Sequence, residues 1–460
     1  MKIMIDLDSL PKEKSIQILN DFPKNSYYIL TQYDTNLYRN NIGDNVKIHN
    51  YPLYHNKIKE TNLKNSPDKI WSNIINDHQT FMLYDREKVF PGQTNNKVYE
   101  ISKLCLSFQI YLEDIDPDII IFIATPHHIH TWIFARVAES MGIRVIYFKS
   151  SILPWRYYLC QGLHSTPLLI SHKDIDITEK EHQLISFFIK NKKDGHLNAM
   201  PAYEKDRLSN NRGKYFNIKN EIISWWQRPD LILNKILCFN YYKKLTKNFT
   251  MPHKKYVVYF LHYQPERTTL PEGYGFAQQL LAIQLLSIAL PNDCLLIVKE
   301  HPTTFTKMCS WKERNTSYYS KIHSLHNVII APIEQDAYTL IDRSIAVATI
   351  TGTVSGEALI RGKPAIAFGN APLKIKNHKL FHQYIDLYEL SLFIAQAFSL
   401  TNPHNNQNEV KELIYHTFCR ISDDELGQID LKKINYLDLR NNTILNGINS
   451  FLSYEYKNTN

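Results

Sequence analysis

No apolar run in this chain approaches the roughly 20 residues needed to cross a bilayer as a helix, and no block of five or more like charges occurs. The first absence excludes an ordinary membrane-spanning helix. The second excludes the basic arm by which many chains hold nucleic acid. The six cysteines, at 105, 160, 238, 294, 309 and 419, form no CxxC pair, so the spacing gives neither a zinc site nor a disulfide framework. The opening "MKIMIDLDSLPKEK" has acids where a secretory leader needs an apolar centre, which predicts a cytoplasmic protein. Neither metal nor organic cofactor is expected. Glycine is scarce, 14 residues in 460; with plentiful Asn, Lys, Ile and Tyr this reflects base composition more than function.

What is present is an ordinary globular composition, 44% hydrophobic and 21% charged, with a spread net charge of +8. The length exceeds one core and predicts two domains of about 200 residues each. In the first half "KIMIDLD" and "SYYILTQYD" read as short strands. "DIIIFIA" is a continuous β-branched run, the mark of a parallel strand buried on both faces. "IHTWIFARVAESMG" follows with helical spacing and a glycine stop at Gly142, and "IRVIYFKSS" is the next strand. Strand, helix, strand gives a right-handed βαβ unit of Rossmann type. From about residue 174 to 247 the pattern is helical and polar, and we read it as closing the first domain. A second α/β series begins at "YVVYFLH" and continues through "LLIVKEHP", "NVIIAP" and "IAVATITGTVSGEALIRGKPAIAFG". The predicted boundaries are 1–247, 248–400 and a helical tail, 401–460, that frays at its end.

Ligands of doubly wound sheets bind beyond the C-terminal ends of the strands. Three polar loops of the second domain fall there. "TGTVSGEAL" offers Thr351, Thr353 and Ser355 hydroxyls and Gly356 at a helix start, an arrangement suited to an anion, with Glu357 in the first turn to reach a ribose. The same residues also make an ordinary helix cap. "KEHP" places His301 at a strand end, aimed by Pro302, to donate to a phosphate; Lys299 and Glu300 read as solvated charges. "HYQPERTTLPEGYG" carries Gln264 and Arg267 as substrate contacts. Its Glu266 is a general base or a holder of an acceptor hydroxyl, against a plain surface turn set by Pro265 and Pro271. In the first domain "ATPHHIH" places His127 and His128 at a strand end, where they face an acceptor or form a capped turn.

Two Rossmann-like domains with the phosphate loops in the second resemble a GT-B glycosyltransferase. "LHYQPE", "VKEHP" and "TGTVSGEALIRGKPAIAFG" together resemble the bacterial capsule polysaccharide biosynthesis protein family, which includes β-Kdo transferases. The "HP" and the Ser/Thr-rich loop are also similar to bacterial sialyltransferases, although their acidic pair before glycine is not matched, since "PEG" at 271–273 has one acid. The resemblance covers about residues 256 to 372. It implies two domains facing across a cleft and transfer of a sugar, with a CMP-sugar such as CMP-Kdo favoured, to a glycan or glycolipid acceptor of surface polysaccharide. His301, Thr351, Thr353 and Ser355 would hold the nucleotide phosphate, Glu357 would lie near the ribose, and Glu266, His301 and His128 would carry the chemistry. Nucleic acid is not an expected partner; a peripheral contact with the inner membrane or a polysaccharide assembly complex fits the pathway. A CDP-polyol phosphotransferase, a sugar-nucleotide epimerase and a non-catalytic scaffold subunit remain open alternatives.

Overall fold

A computed structural model of the chain describes residues 1–7, 16, 26–31, 45–51, 67–87, 94–153, 155–163, 166–167, 179–194, 229–264, 266–305, 313–373, 379–399 and 436–459. Residues 195–228 of the stretch read as closing the first domain, most of the tail and Pro265 lie outside these residues.

The chain divides into two compact units, one built from 1–182 with 416–460, the other from 183–415. The first holds a seven-stranded sheet of β1 (Lys2–Asp6), β2 (Ser26–Thr31), β3 (Val46–Asn50), β4 (Ile119–Phe122), β5 (Arg144–Ser150), β6 (Tyr157–Gln161) and β7 (Thr166–Pro167). Its order is β3-β2-β1-β4-β5-β6-β7. The first five strands run parallel, and β6 and β7 add an antiparallel edge. All four residues of β4 are buried, as the unbroken β-branched run requires of a strand covered on both faces. The helix Ile129–Ser140 returns the chain to β5, with Gly142 just beyond it at φ +81°, the left-handed stop that glycine adopts without strain.

The second unit holds β8 (Tyr256–Phe260), β9 (Leu295–Lys299), β10 (Val328–Ala331), β11 (Ala346–Thr349), β12 (Ala365–Ala367) and β13 (Phe381–Gln383). All are parallel, in the order β10-β9-β8-β11-β12-β13. Both sheets thus reverse direction of strand addition at a central pair, β1/β4 in one and β8/β11 in the other. Such a switch point leaves a crevice at the strands' C-terminal ends. The plan is α/β and GT-B-like, with two Rossmann-like units in one chain.

The division differs from the boundaries expected at 247 and 400. The helix Pro229–Thr246 packs in the second unit: Cys238 and Tyr242 join its core, and the Tyr242 ring meets Phe305 and Tyr319 at 5.4 and 5.1 Å. The helix Tyr436–Thr459 runs through the stretch expected to fray. It lays Ile444, Leu445, Ile448, Phe451 and Leu452 on the first sheet, and Thr443 Oγ1 donates to the Trp155 carbonyl at 2.6 Å. Cys105, Cys160, Cys238 and Cys294 are buried free thiols. No described helix is long and apolar enough to cross a membrane.

Candidate functional site

The strand ends of the second unit are organised around His262, two residues past β8. Its Nε2 lies 3.0 Å from Thr349 Oγ1, the last residue of β11, so one imidazole bridges the two strands of the switch point. The Thr351 N–H also points at Nε2, at 3.4 Å. An amide N–H only donates, so Nε2 accepts and the ring's proton sits on Nδ1. Nδ1 is 3.2 Å from Glu266 Oε2 and 3.2 Å from Thr268 Oγ1. The backbone of His262 is held independently: its N–H donates to Gln279 Oε1, and its carbonyl accepts from Gln279 Nε2 and Arg314 Nη2. The ring is 9% exposed and the Glu266 side chain 24%, so the carboxylate is the outer member of the pair.

Burial pushes the Glu266 carboxyl up. The hydrogen bond from His262, with that of Thr268 behind it, outweighs this and holds the group below its ordinary value. Glu266 is therefore ionised at neutral pH, the form that can accept a proton.

His301 stands at the end of β9 and is partly exposed. The turn Pro302–Phe305 folds back so that the Thr303 N–H donates to His301 Nδ1 at 3.2 Å. That places the proton of the neutral ring on Nε2, the tautomer suited to donate to an anion. Burial lowers its pKa to about 4, against the opposing pull of Glu266. The Tyr263 ring packs beside it at 4.9 Å.

Lys299 and Glu300 are buried, which corrects their reading as solvated charges. Lys299 Nζ donates to the Ile333 carbonyl at 2.6 Å. Glu300 receives the His301 N–H, Thr304 Oγ1, Arg314 Nε and Tyr319 Oη at 2.8, 2.9, 2.9 and 2.5 Å. Burial favours its neutral form, but Arg314 and these donors keep it ionised. An acid therefore ends β9 because it anchors the turn that aims His301. Gln264 belongs to the same buried network: its Oε1 accepts from Arg314 Nη1 and its Nε2 donates to the Ala277 carbonyl. Arg267 Nε lies 3.4 Å from the buried Glu272 carboxylate.

The loop after β11 divides into engaged and outward groups. Thr351 Oγ1 donates to the Thr268 carbonyl at 2.5 Å, and Ser355 Oγ to the Gly352 carbonyl at 2.8 Å; both residues are buried. Gly356 is buried in the first turn, its N–H on the Thr353 carbonyl. Thr353 is exposed and makes no side-chain capping bond to the helix Val354–Ile360. Gly352 approaches closely: a Cβ there would meet Thr349 Oγ1 at 2.7 Å and His262 Cε1 at 3.4 Å. Glu357 Oε1 accepts from Lys192 Nζ at 2.8 Å, and burial raises its pKa against that partner's pull.

In the first unit, His127 Nδ1 is 3.0 Å from the Thr125 carbonyl, and Arg86 donates to the His127 carbonyl. His128 begins the helix Ile129–Ser140, its N–H on Thr131 Oγ1 and its half-exposed ring 3.1 Å from Glu87 Oε1. This is the capped turn, with two imidazoles at a strand end. No group of three or more metal-ligating side chains occurs among the described residues.

The structure brings Glu266, His301 and the loop after β11 to one edge of the second sheet. Sequence reasoning missed His262, Thr268, Thr349, Arg314 and Lys192. One signal was available: His262 and Glu266 stand four apart in a loop already singled out. Arg314 gave none, since it follows residues with no motif.

Among solved structures, two β-Kdo transferase structures of Thermosulfurimonas dismutans KpsC are similar at 13% identity. The 2,7 transferase match covers 64% of this chain and 80% of that one at TM-score 0.29. The 2,4 transferase match covers 65% and 87% at 0.32. A UDP-GlcNAc 2-epimerase from Methanocaldococcus jannaschii is 13% identical over 90% of this chain and 98% of its own, at 0.24. These likenesses carry no functional weight. No curated protein sequence matches the chain. Residues 179–376, which carry β8 to β12 and all three polar loops of the second sheet, match the capsule polysaccharide biosynthesis protein family.

Proposed function

We propose that the chain is a GT-B glycosyltransferase of bacterial surface polysaccharide synthesis, capsular or lipopolysaccharide, that takes its sugar from a nucleotide donor. The observation that carries this reading is the joint placement of an ionised Glu266 and an Nε2-protonated His301 at the C-terminal ends of adjacent strands, inside the family segment. In the reaction, the acceptor oxygen bonds to the anomeric carbon and the bond from that carbon to the donor phosphate breaks. Glu266 takes the acceptor's proton. His301 donates to the phosphate oxygen on which charge grows, a fixed dipole that lowers the barrier without reorganising. Thr353 and the amides of the same turn add to the phosphate site. Thr351, Ser355 and Gly356 shape that turn from inside, and Pro302 aims His301. Gln264 and Arg267 set the form of the first loop, Glu357 borders the donor site, and His127 and His128 contribute to acceptor binding. The favoured donor is CMP-Kdo or a similar CMP-sugar, and the acceptor is a glycan or glycolipid, reached from the cytoplasmic side with a peripheral contact at the inner membrane.

The test is a thermal-shift panel of CMP, CDP, UDP and GDP, followed by mass analysis of products from CMP-Kdo and a Kdo-terminated acceptor. A ligand at one hundred times its Kd stabilises the fold by about 2.7 kcal/mol, so CMP should raise Tm most. Stronger protection by UDP moves the donor assignment and leaves glycosyl transfer intact. A phosphodiester product, or no nucleotide binding at all, overturns the reading.

A further inference from the structure

The loop after β8 contains a residue that touches both halves of the proposed machinery yet sits behind it. His262 is nearly buried, carries its proton on Nδ1, and holds the Glu266 carboxylate with that proton. Its other nitrogen is fixed by Thr349 Oγ1 and the Thr351 N–H, both from the β11 edge of the switch point. Its backbone is anchored by Gln279 and Arg314, so the ring's place does not depend on the ring's own bonds. Gly352 lets the loop close over the Thr349 hydroxyl that partners this imidazole: a Cβ there would meet Thr349 Oγ1 at 2.7 Å.

We infer that His262 is the positioning residue of the site: it orients Glu266 toward the acceptor and holds it as a carboxylate, using the loop that bears the donor phosphate as its own support. The inference rests on Glu266 being the proton acceptor. Its geometric logic is that of a buried imidazole locked in one tautomer from behind, which converts a flexible glutamate into a fixed one. Misplacement of a catalytic group by about 1 Å can cost roughly a hundredfold in rate.

Among the described residues, the groups that face this pair are as follows. On Glu266 they are His262 and Thr268 from its own loop and His301 from the end of β9. His301 in turn lies in the field of Glu266, His262, Glu300 and Lys299. From the β11 side the uncharged Thr349 and Thr351 reach the ring. The Arg314 guanidinium lies on the His262 carbonyl and is neutralised by Glu300, and Arg267 pairs with Glu272. Removing His262 therefore removes the main donor to the Glu266 carboxylate, and the midpoint of Glu266 protonation must move to higher pH.

The experiment compares wild type with His262→Ala, His262→Asn and His262→Gln in the full chain. The Asn amide nitrogen reaches the Nδ1 position and can replace the donor to Glu266; the longer Gln amide reaches toward Nε2 and cannot. The first readout is the titration of Glu266 by NMR of glutamate labelled at the carboxyl carbon, its signal identified by loss in Glu266→Gln. The midpoint should rise in the Ala and Gln variants and stay near wild type in Asn. The second readout is turnover of CMP-Kdo with the Kdo-terminated acceptor. Here kcat should fall roughly a hundredfold in Ala and Gln, with KM for the donor little changed, the acid limb of the rate profile should move up in pH, and Asn should recover most of the rate. An unchanged Glu266 midpoint in both Ala and Gln overturns the inference, as does equal activity of Asn and Gln. Should Ala fail to fold, the Asn and Gln pair, similar in volume to the imidazole, decides alone. Full activity of Glu266→Gln would instead refute the proposed role of Glu266, and the NMR arm still reports whether His262 governs its charge.

Discussion

At the scale of single residues, the site depends on polar groups that the fold keeps in one state. His301 refuses a proton until about pH 4, well below its ordinary 6.5, because burial disfavours its cation. The unfolded chain takes up that proton between the two values, so stability falls as pH drops through the window. His130, also lowered to about 4 by burial, adds to the same slope in the first unit. Denaturant unfolding from pH 7 to pH 4 should show this decline, and His301→Asn should flatten it. In activity, His301→Ala should cost roughly ten- to a thousandfold in kcat, the range for one lost transition-state donor; wild-type turnover would remove the phosphate role. Glu266→Gln should lower kcat and leave nucleotide affinity by calorimetry unchanged, because a base acts in the transition state and not in ground-state binding. Glu300 behaves differently. Glu300→Ala strands Arg314 in the interior, and breaking a buried pair costs about 3–5 kcal/mol, read as a drop in the urea midpoint before any kinetic effect.

At the scale of elements, the loop after β11 separates two hydroxyls that look equivalent in sequence. Ser355 is buried and satisfies the Gly352 carbonyl, whereas Thr353 faces outward. Ser355→Ala should cost about 0.5–1.5 kcal/mol of stability, the net worth of one hydrogen bond. Thr353→Ala should leave Tm in place and weaken nucleotide binding in calorimetry; the reverse pattern would remove Thr353 from the phosphate site. The sequence announced the strands themselves well. Continuous apolar runs such as "IIIF" and "LLIV" leave little choice but a buried parallel strand, and they form β4 and β9 respectively. Less legible was β3, whose "VKIHN" alternates too weakly to announce itself, and the turn of chain direction into the antiparallel β6. The site was legible where a polar loop follows an apolar run. It was illegible where a candidate group is held by a partner far along the chain, as with Arg314 on the His262 carbonyl across 52 residues, or Lys192 on Glu357 across 165. Pattern within a window cannot report a contact made only by tertiary folding.

At the scale of the molecule, the first unit is completed by the helix Tyr436–Thr459. Its Ile444 and Ile448 are fully buried on the first sheet. Ile448→Ala should cost about 2–5 kcal/mol, the range for truncating a core aliphatic side chain. Proteolysis under native conditions should then open the first unit while the second, contiguous from 183 to 415, stays resistant; equal resistance of both units would refute the helix's role as a core element.

The same arrangement sets a timetable for synthesis. The second unit has all its chain once residue 415 is made, whereas the first must wait for a helix encoded far downstream of its strands. At roughly 5–20 residues per second on the ribosome, the apolar face that receives Ile444 and Ile448 stays without its cover for tens of seconds. During that interval the nascent chain presents it to whatever else is in reach. Slowing or stalling translation after residue 415 should therefore increase aggregation and chaperone dependence, and supplying the missing helix as a separate peptide should relieve both.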